Sequence, residues 1–542
     1  MGLKRIIAVL GLFLWGVIPA AGLTHRDWAD PLQSLARSSS PLKLASSFLV
    51  ARDTGTVHQF RESLIARGKP ETANQIWFLE ELFAGNNAGA AQALELLDRA
   101  SVWTEDQEKY LSRLTEIQRG FEETKSDMFH VRTSSAEAFL SPYVLAALEN
   151  AQSRVAEFLG SSSTLPVPVE IYTSVDDFVF ASGYSIKTLE RTGVVSAVVF
   201  GRVMVVSPGA TVFGYRWIDA LVHEHVHASL APISGALCPN WLQEGTARYL
   251  ELLWRHSAGF VHPPRDRALL TRAVLSEGGK GLLSFHDLDV SFRHLSSPDQ
   301  VDLALAQVAD VVHFIVNEFG EEKLRALLRS FRESSRSDGF RLTLGISEGE
   351  LEKNWRDSLA DLTENPTELE RGALGSVVRF GFETESPLVV GEVERRIRLG
   401  DGLRKKGASE AAVLEYKKAV EFAPDNGVAL ARLAGVYQTM GRTKSAEELL
   451  VRATAKNPAY VVPFVLLGEL YFEQGRYEET QGVLQQALEI NPFDSKIHEL
   501  LGLIAVDVGN FALARQSLEL ALRFDPDNDD LRRVLRRMPK GR

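Results

Sequence analysis

The stretch Arg216-Trp-Ile-Asp-Ala-Leu-Val-His223-Glu224-His225-Val226-His227-Ala-Ser-Leu230, followed by Pro239-Asn-Trp-Leu-Gln-Glu244-Gly-Thr-Ala-Arg-Tyr-Leu-Glu251, governs the reading of the chain. Both pieces have helical character, the first starting near Arg216 and the second opened by Pro239 and Asn240. On a helix each residue advances about 100°, so His223 and His227 lie about 40° apart, with Glu224 inside the same arc of roughly 100°. Two imidazoles one turn apart with a carboxylate beside them are the nitrogen ligands and the base of a metal-assisted hydrolase. His225 falls about 200° from His223 and faces away, so it is not a ligand despite its place in the histidine-rich string.

Upstream, short apolar segments begin at Met128, as MFHVRT and then VPVEIY at 167–172, separated by the helical stretch YVLAALENAQSRVAEFL. Two β-branched runs follow, AVVF and VMVVS, joined by Gly201-Arg202; a two-residue loop that begins with Gly predicts a type II′ hairpin. An α+β domain, a small sheet leading into the HEHVH helix, is the consistent architecture.

The string WLQEGTARYLE closely resembles the glutamate helix of peptidase MA-like gluzincins, in which Trp-Leu precedes Glu-Gly and Ala and Tyr follow. The resemblance covers about 128–360. It implies a zincin-like metallopeptidase fold with one catalytic Zn2+, held by His223, His227 and Glu244, and with Glu224 as general base. Two His and one carboxylate leave a fourth zinc position for water, which separates a catalytic site from a closed structural one. Zinc lowers the pKa of that water toward about 7, and Glu224 takes its proton and later hands it to the leaving amine. Asp219, one turn before His223, and Glu251, on the face of Glu244, are candidates to orient a ligand; solvated carboxylates are the plain alternative. Relatives use a tyrosine or histidine to stabilise the oxyanion. Tyr249 lies about 140° round the helix from Glu244 and points elsewhere, Leu305 stands where relatives often have tyrosine, and His313 is the remaining candidate. The hairpin before the HEHVH helix offers an edge strand to an extended substrate if one of its runs lies at the sheet edge.

Downstream the chain becomes periodic. Pro424, Pro458, Pro492 and Pro526 are spaced 34 apart, as are Gly407, Gly441, Gly475 and Gly509, and Ala419, Ala453, Ala487 and Ala521. Three residue types in one register over four repeats identify tetratricopeptide repeats over 393–526. Alanine sits where two helices approach, glycine where the turn needs a small residue, and proline where the second helix stops. The resemblance implies an all-α superhelix whose groove commonly holds a protein or peptide partner.

The chain of 542 residues is too long for one core. The expected division is a signal peptide at 1–22, a helical region at 23–127 and the zincin-like domain at 128–363. A linker at 364–392, four repeats at 393–530 and a tail at 531–542 complete it. Lys4 and Arg5, the apolar run Ile6–Ile18 and the small residues Ala20 and Gly22 read as a secretory signal cleaved near residue 22, an uncleaved membrane anchor being the alternative. A lone cysteine, Cys238, forbids an internal disulfide, and an exported chain without one suits the bacterial periplasm, secretion being the other route. Cys238 is read as a small buried hydrophobe rather than a thiol acting on the zinc. A net charge of −11 and a pI of about 5.7 argue against nucleic-acid binding.

The expected activity is hydrolysis of peptide bonds by an exported zinc metallopeptidase whose repeats recruit a protein partner or client. The competing reading is a repeat scaffold or chaperone with a weakly active or inactive metallopeptidase-like domain. A third keeps the zinc chemistry and changes the substrate to a cell-wall peptide or another amide, since residue types at the metal do not separate these.

Overall fold

A computed structural model describes residues 45, 49, 54–98, 102–160, 166–234, 237–254, 260–276, 281–289, 295, 297–359 and 391–539. The expected signal segment and nearly all of the expected linker lie outside the described residues. The chain forms two compact units, one of residues 1–206, 219–262 and 273–363, the other of 207–218, 263–272 and 364–542.

The first unit opens with helices α1 (Thr54–Ala66), α2 (Pro70–Phe83), α3 (Asn87–Glu95) and α4 (Val102–Gln118). Their boundaries follow local chemistry: Pro70 occupies the first turn of α2, and the Asn86 side chain accepts from Gly89 N to cap α3. A mixed five-stranded sheet follows, with β1 (Phe121–Lys125), β2 (Phe129–Ser134), β3 (Val167–Tyr172), β4 (Ser196–Val199) and β5 (Arg202–Val206) in the order β1-β2-β3-β5-β4. The inner pairs β2–β3 and β3–β5 are parallel and the outer pairs antiparallel. Helix α5 (Ser141–Leu159) makes the crossover between β2 and β3, while α6 (Val175–Ser182) and α7 (Ile186–Thr192) link β3 to β4.

Two expectations are corrected. Strand β1 lies inside the region read as helical: its FEETK sequence is mostly exposed and carries no buried alternation, so full-length pairing with β2 defines it. The hairpin loop is Phe200-Gly201, because Val199 pairs with Arg202, and both loop residues have positive φ, 49° and 68°, which is a type I′ turn. Phe200 is held in this unfavourable backbone region by its ring, which meets Phe83 at 5.7 Å and Tyr110 at 6.4 Å.

After the sheet come α8 (Trp217–Ser234), α9 (Asn240–Leu253), α10 (Pro264–Leu275), α11 (Phe285–Asp289), α12 (Pro298–Phe319), α13 (Glu321–Glu333), α14 (Arg336–Leu344) and α15 (Glu348–Ser358). Among the described residues no single helix is long and apolar enough to cross a membrane.

The second unit is built on four helix pairs: α16 (Gly391–Lys405) with α17 (Ser409–Phe422), α18 (Gly427–Thr439) with α19 (Thr443–Lys456), α20 (Val462–Glu473) with α21 (Tyr477–Leu488), and α22 (Ser495–Asp507) with α23 (Phe511–Phe524). Helix α24 (Asp529–Arg537) ends the array. The register alanines are fully buried. The register glycines have φ of 71° to 76° and open space where a Cβ would stand, so the turn requires their handedness and not their small size. Close helix approach uses a second register, Gly400, Ala434, Gly468 and Gly502: a Cβ on Gly400 would lie 2.5 Å from Tyr416 and one on Gly468 2.6 Å from Leu484. Segment 207–218 belongs to this unit through a Tyr215 N to Ile490 O bond of 2.9 Å and a Trp217 indole bond to Leu488 O of 3.1 Å.

Candidate metal centre

Helix α8 brings His223 and His227 to one face, and α9 brings Glu244 to meet them. The two Nε2 atoms are 3.0 Å apart, and Glu244 Oε2 lies 3.4 Å from His223 Nε2 and 3.5 Å from His227 Nε2. Zinc with tetrahedral bonds of about 2.0–2.2 Å sets its donors about 3.3–3.6 Å apart; both glutamate–histidine distances match this and the histidine pair is a few tenths of an ångström closer, so the three donors suit that ion with one position left over. Among the described residues no other group of three His, Cys, Asp or Glu side chains offers such a cluster. His225 points the other way, hydrogen-bonding Gln152 on α5 and meeting the Phe129 ring at 5.1 Å.

The electrostatics record the same convergence. Burial opposes charge on His223, but its bonds to Glu244 and Glu251 outweigh that and raise its pKa to about 10. Burial likewise opposes ionisation of Glu244, and the two histidines overcome it to hold the carboxyl at about 2. Glu224, 5% exposed, is pushed up by burial, partly offset by His223 and His227.

Glu251 is the carboxylate that reaches His223, its Oε2 lying 3.0 Å from Nδ1, and Arg248 pairs with its other oxygen. With Nδ1–H given to Glu251, the neutral ring directs its Nε2 lone pair at the triangle. Asp219 is buried one turn earlier on α8. Tyr249 stacks on Phe260 at 4.8 Å and packs on Phe158 at 5.7 Å, and His313 lies in the same aromatic cluster, 4.7 Å from Phe260, with its Nε2 3.0 Å from Asn317 Nδ2. Cys238 is buried, and burial pushes its thiol well above the ordinary range.

Several supporting residues carry no sequence signal. Ser196 on β4 donates to Glu224 Oε1 at 2.8 Å. Arg336 bridges Asp289 and Glu348, while Asp289 accepts from Asn240 N at 2.7 Å and Glu348 from the Trp241 indole at 2.7 Å, which pins the first turn of α9. A Cβ on Gly245 would stand 2.4 Å from Val308 O, so this glycine lets α12 press against α9 beside Glu244. Arg248 and Glu251, three apart on α9, form a pair visible from spacing.

Residues 147–361 match the Peptidase MA superfamily, and 403–461, 441–504 and 495–528 match tetratricopeptide repeat families. The chain carries a Peptidase MA domain followed by tetratricopeptide repeats. No curated protein matches the chain as a whole or in part. Among solved structures it is similar to the MamA protein, at 22% identity over 27% of this chain and 79% of that one, with a TM-score of 0.25. It is also similar to PilF of Pseudomonas aeruginosa (29% identity, 27% and 66% covered, TM-score 0.26). A thermophilic TPR protein of Thermus thermophilus is a third (27% identity, 26% and 79% covered, TM-score 0.24). The Peptidase MA domain contains both α8 and α9, so the histidine–glutamate triangle lies wholly within it.

Proposed function

We infer that the chain is an exported zinc-dependent metallopeptidase that hydrolyses peptide bonds, with its repeats recruiting a protein partner or client. The observation that carries this reading is the donor triangle of His223, His227 and Glu244 with a buried carboxylate, Glu224, next to it in sequence. A zinc bound there supplies a Lewis acid that polarises a carbonyl and acidifies a water. His223 and His227 hold it through Nε2 and Glu244 through Oε2; Glu251 keeps the His223 ring in the ligating tautomer. Glu224 takes a proton at Oε2, which has no hydrogen-bond partner among the described residues, and returns it to the leaving amine. Burial raises its pKa above the ordinary carboxyl value, which makes it a stronger base than a solvated carboxylate. Strand β4 ends the sheet, which is where the edge-strand expectation for an extended peptide falls. Ionisable groups buried together at such cost have no packing use, which favours an active site over a purely scaffolding domain.

The test is zinc-loaded protein against an unfolded protein substrate. Glu224→Gln is expected to retain zinc and lose cleavage by about 10³-fold or more. Equal cleavage by Glu224→Gln and wild type overturns the assignment. Export is checked by fractionating cells that express the full chain, where cytoplasmic retention counts against the signal at 1–22.

A further inference from the structure

The pairing of β4 with β5 sets Ser196 opposite Val205 and Ala197 opposite Met204. One position before Ser196, Val206 N donates to Val195 O at 2.8 Å, so the Val195–Val206 pair is hydrogen-bonded. Antiparallel ladders alternate, so Ser196–Val205 is a non-hydrogen-bonded pair, and the N–H and C=O of Ser196 point away from β5. Strand β4 is the last strand of the sheet, and Ser196, Ala197 and Val199 are all buried in it. The Ser196 side chain, meanwhile, turns into the protein: the residue is 9% exposed and its Oγ lies 2.8 Å from Glu224 Oε1.

An ionised carboxylate only accepts, so the hydroxyl donates, and one oxygen of Glu224 is fixed while Oε2 stays without a hydrogen-bond partner among the described residues. We propose that Ser196 is a positioning residue for peptide hydrolysis: its hydroxyl holds Glu224 so that Oε2 alone is presented for proton transfer. The catalytic half of this proposal rests on the metallopeptidase reading; the Ser196–Glu224 bond does not.

The experiment separates the two. In metal-free protein, the denaturation midpoints of wild type, Ser196→Ala, Glu224→Ala and the double variant form a cycle, and the shifts are expected to be non-additive. Additive shifts overturn the bond. In zinc-loaded protein, Ser196→Ala is expected to lower kcat about 10- to 100-fold on a peptide substrate, with KM and zinc stoichiometry unchanged, because a hydrogen bond to a charged group is removed. Ser196→Thr, which keeps the hydroxyl, is expected to recover kcat to within about threefold. A loss that appears in KM or in zinc content, or that Thr does not rescue, overturns the positioning role. If wild type hydrolyses no peptide, the metallopeptidase reading and with it the catalytic role of Ser196 fail, while the cycle still decides whether Ser196 holds Glu224.

Discussion

Helices α8 and α9 of the Peptidase MA domain and helices α18 and α19 of the repeats both bring polar side chains into the interior, yet they use buried polarity in opposite ways. In the repeats a buried polar side chain closes the structure: Asn426 caps α18 by accepting from Ala429 N at 3.0 Å, and Asn457 donates to Asp425 O at 2.7 Å. In the α8–α9 pair, His223, Glu224, His227, Glu244 and Glu251 converge where apolar residues would pack at lower cost. Removing a polar group from the first kind of pair costs stability; removing one from the second is expected to cost binding. Residues that break the packing logic of their own helix mark the site.

The largest effect expected from this contrast is at Glu244. Glu244→Ala is expected to weaken zinc binding by about 10³-fold or more while the far-UV signal of the helices persists, as measured by titration with a competing chelator. Wild-type zinc affinity in this variant would place the ion elsewhere and dissolve the comparison.

Next in size is the proton balance. His223, raised to about 10, carries its proton at pH 7 in metal-free protein, and zinc requires the neutral ring, so uptake is expected to release at least one proton. Calorimetry in buffers of different ionisation enthalpy counts it. The same shifts give metal-free stability its sign. The contribution of Glu244, held at about 2, is present above its ordinary 4.5 and is lost as pH falls toward 2. The contribution of His223 is complete below its ordinary 6.5 and fades as pH rises through 10. Metal-free protein is therefore expected to be most stable between about pH 4.5 and 6.5, and zinc to extend that range upward.

Glu251 gives a smaller effect. Glu251→Ala removes the acceptor of His223 Nδ1–H and is expected to weaken zinc binding about 10- to 100-fold, with Glu251→Gln between the two. An unchanged zinc affinity in Glu251→Ala would reduce the pair to a structural contact.

Legibility in the sequence divides along the same line. Repetition makes the helical array readable, since four copies in register expose which positions matter, although spacing alone does not tell a glycine needed for small size from one needed for backbone handedness, as the turn glycines are. The α8–α9 face was readable because helical spacing alone places His223, Glu224 and His227 together and turns His225 away. Ser196, Asp289, Arg336 and Glu348 were not readable, because each reaches its partner across a separation set by the tertiary fold and not by any local period. Strand β1 escaped for a related reason: a strand with one polar face and little buried surface is defined by its neighbour.

The smallest effects separate the two glycine registers of the repeats. Gly475 has φ of +71° and open space around its Cβ position, so Gly475→Ala is expected to lose about 1–2 kcal/mol by forcing an L residue into the left-handed region, and Gly475→Asn to lose less. Gly468 is helical, and a methyl there meets the Leu484 side chain at 2.6 Å. Ala434 occupies the same place one repeat earlier and is fully buried, which shows that this kind of helix crossing accepts a methyl when its neighbours move. Helix propensity favours alanine over glycine by about 0.8–1.0 kcal/mol, which offsets the displacement of a flexible leucine terminus. Gly468→Ala is therefore expected to shift stability by less than about 1 kcal/mol, and chemical denaturation of the pair of variants reads the order directly. A costly Gly468→Ala beside a harmless Gly475→Ala would reverse the assignment and return the turn glycines to the role of small spacers.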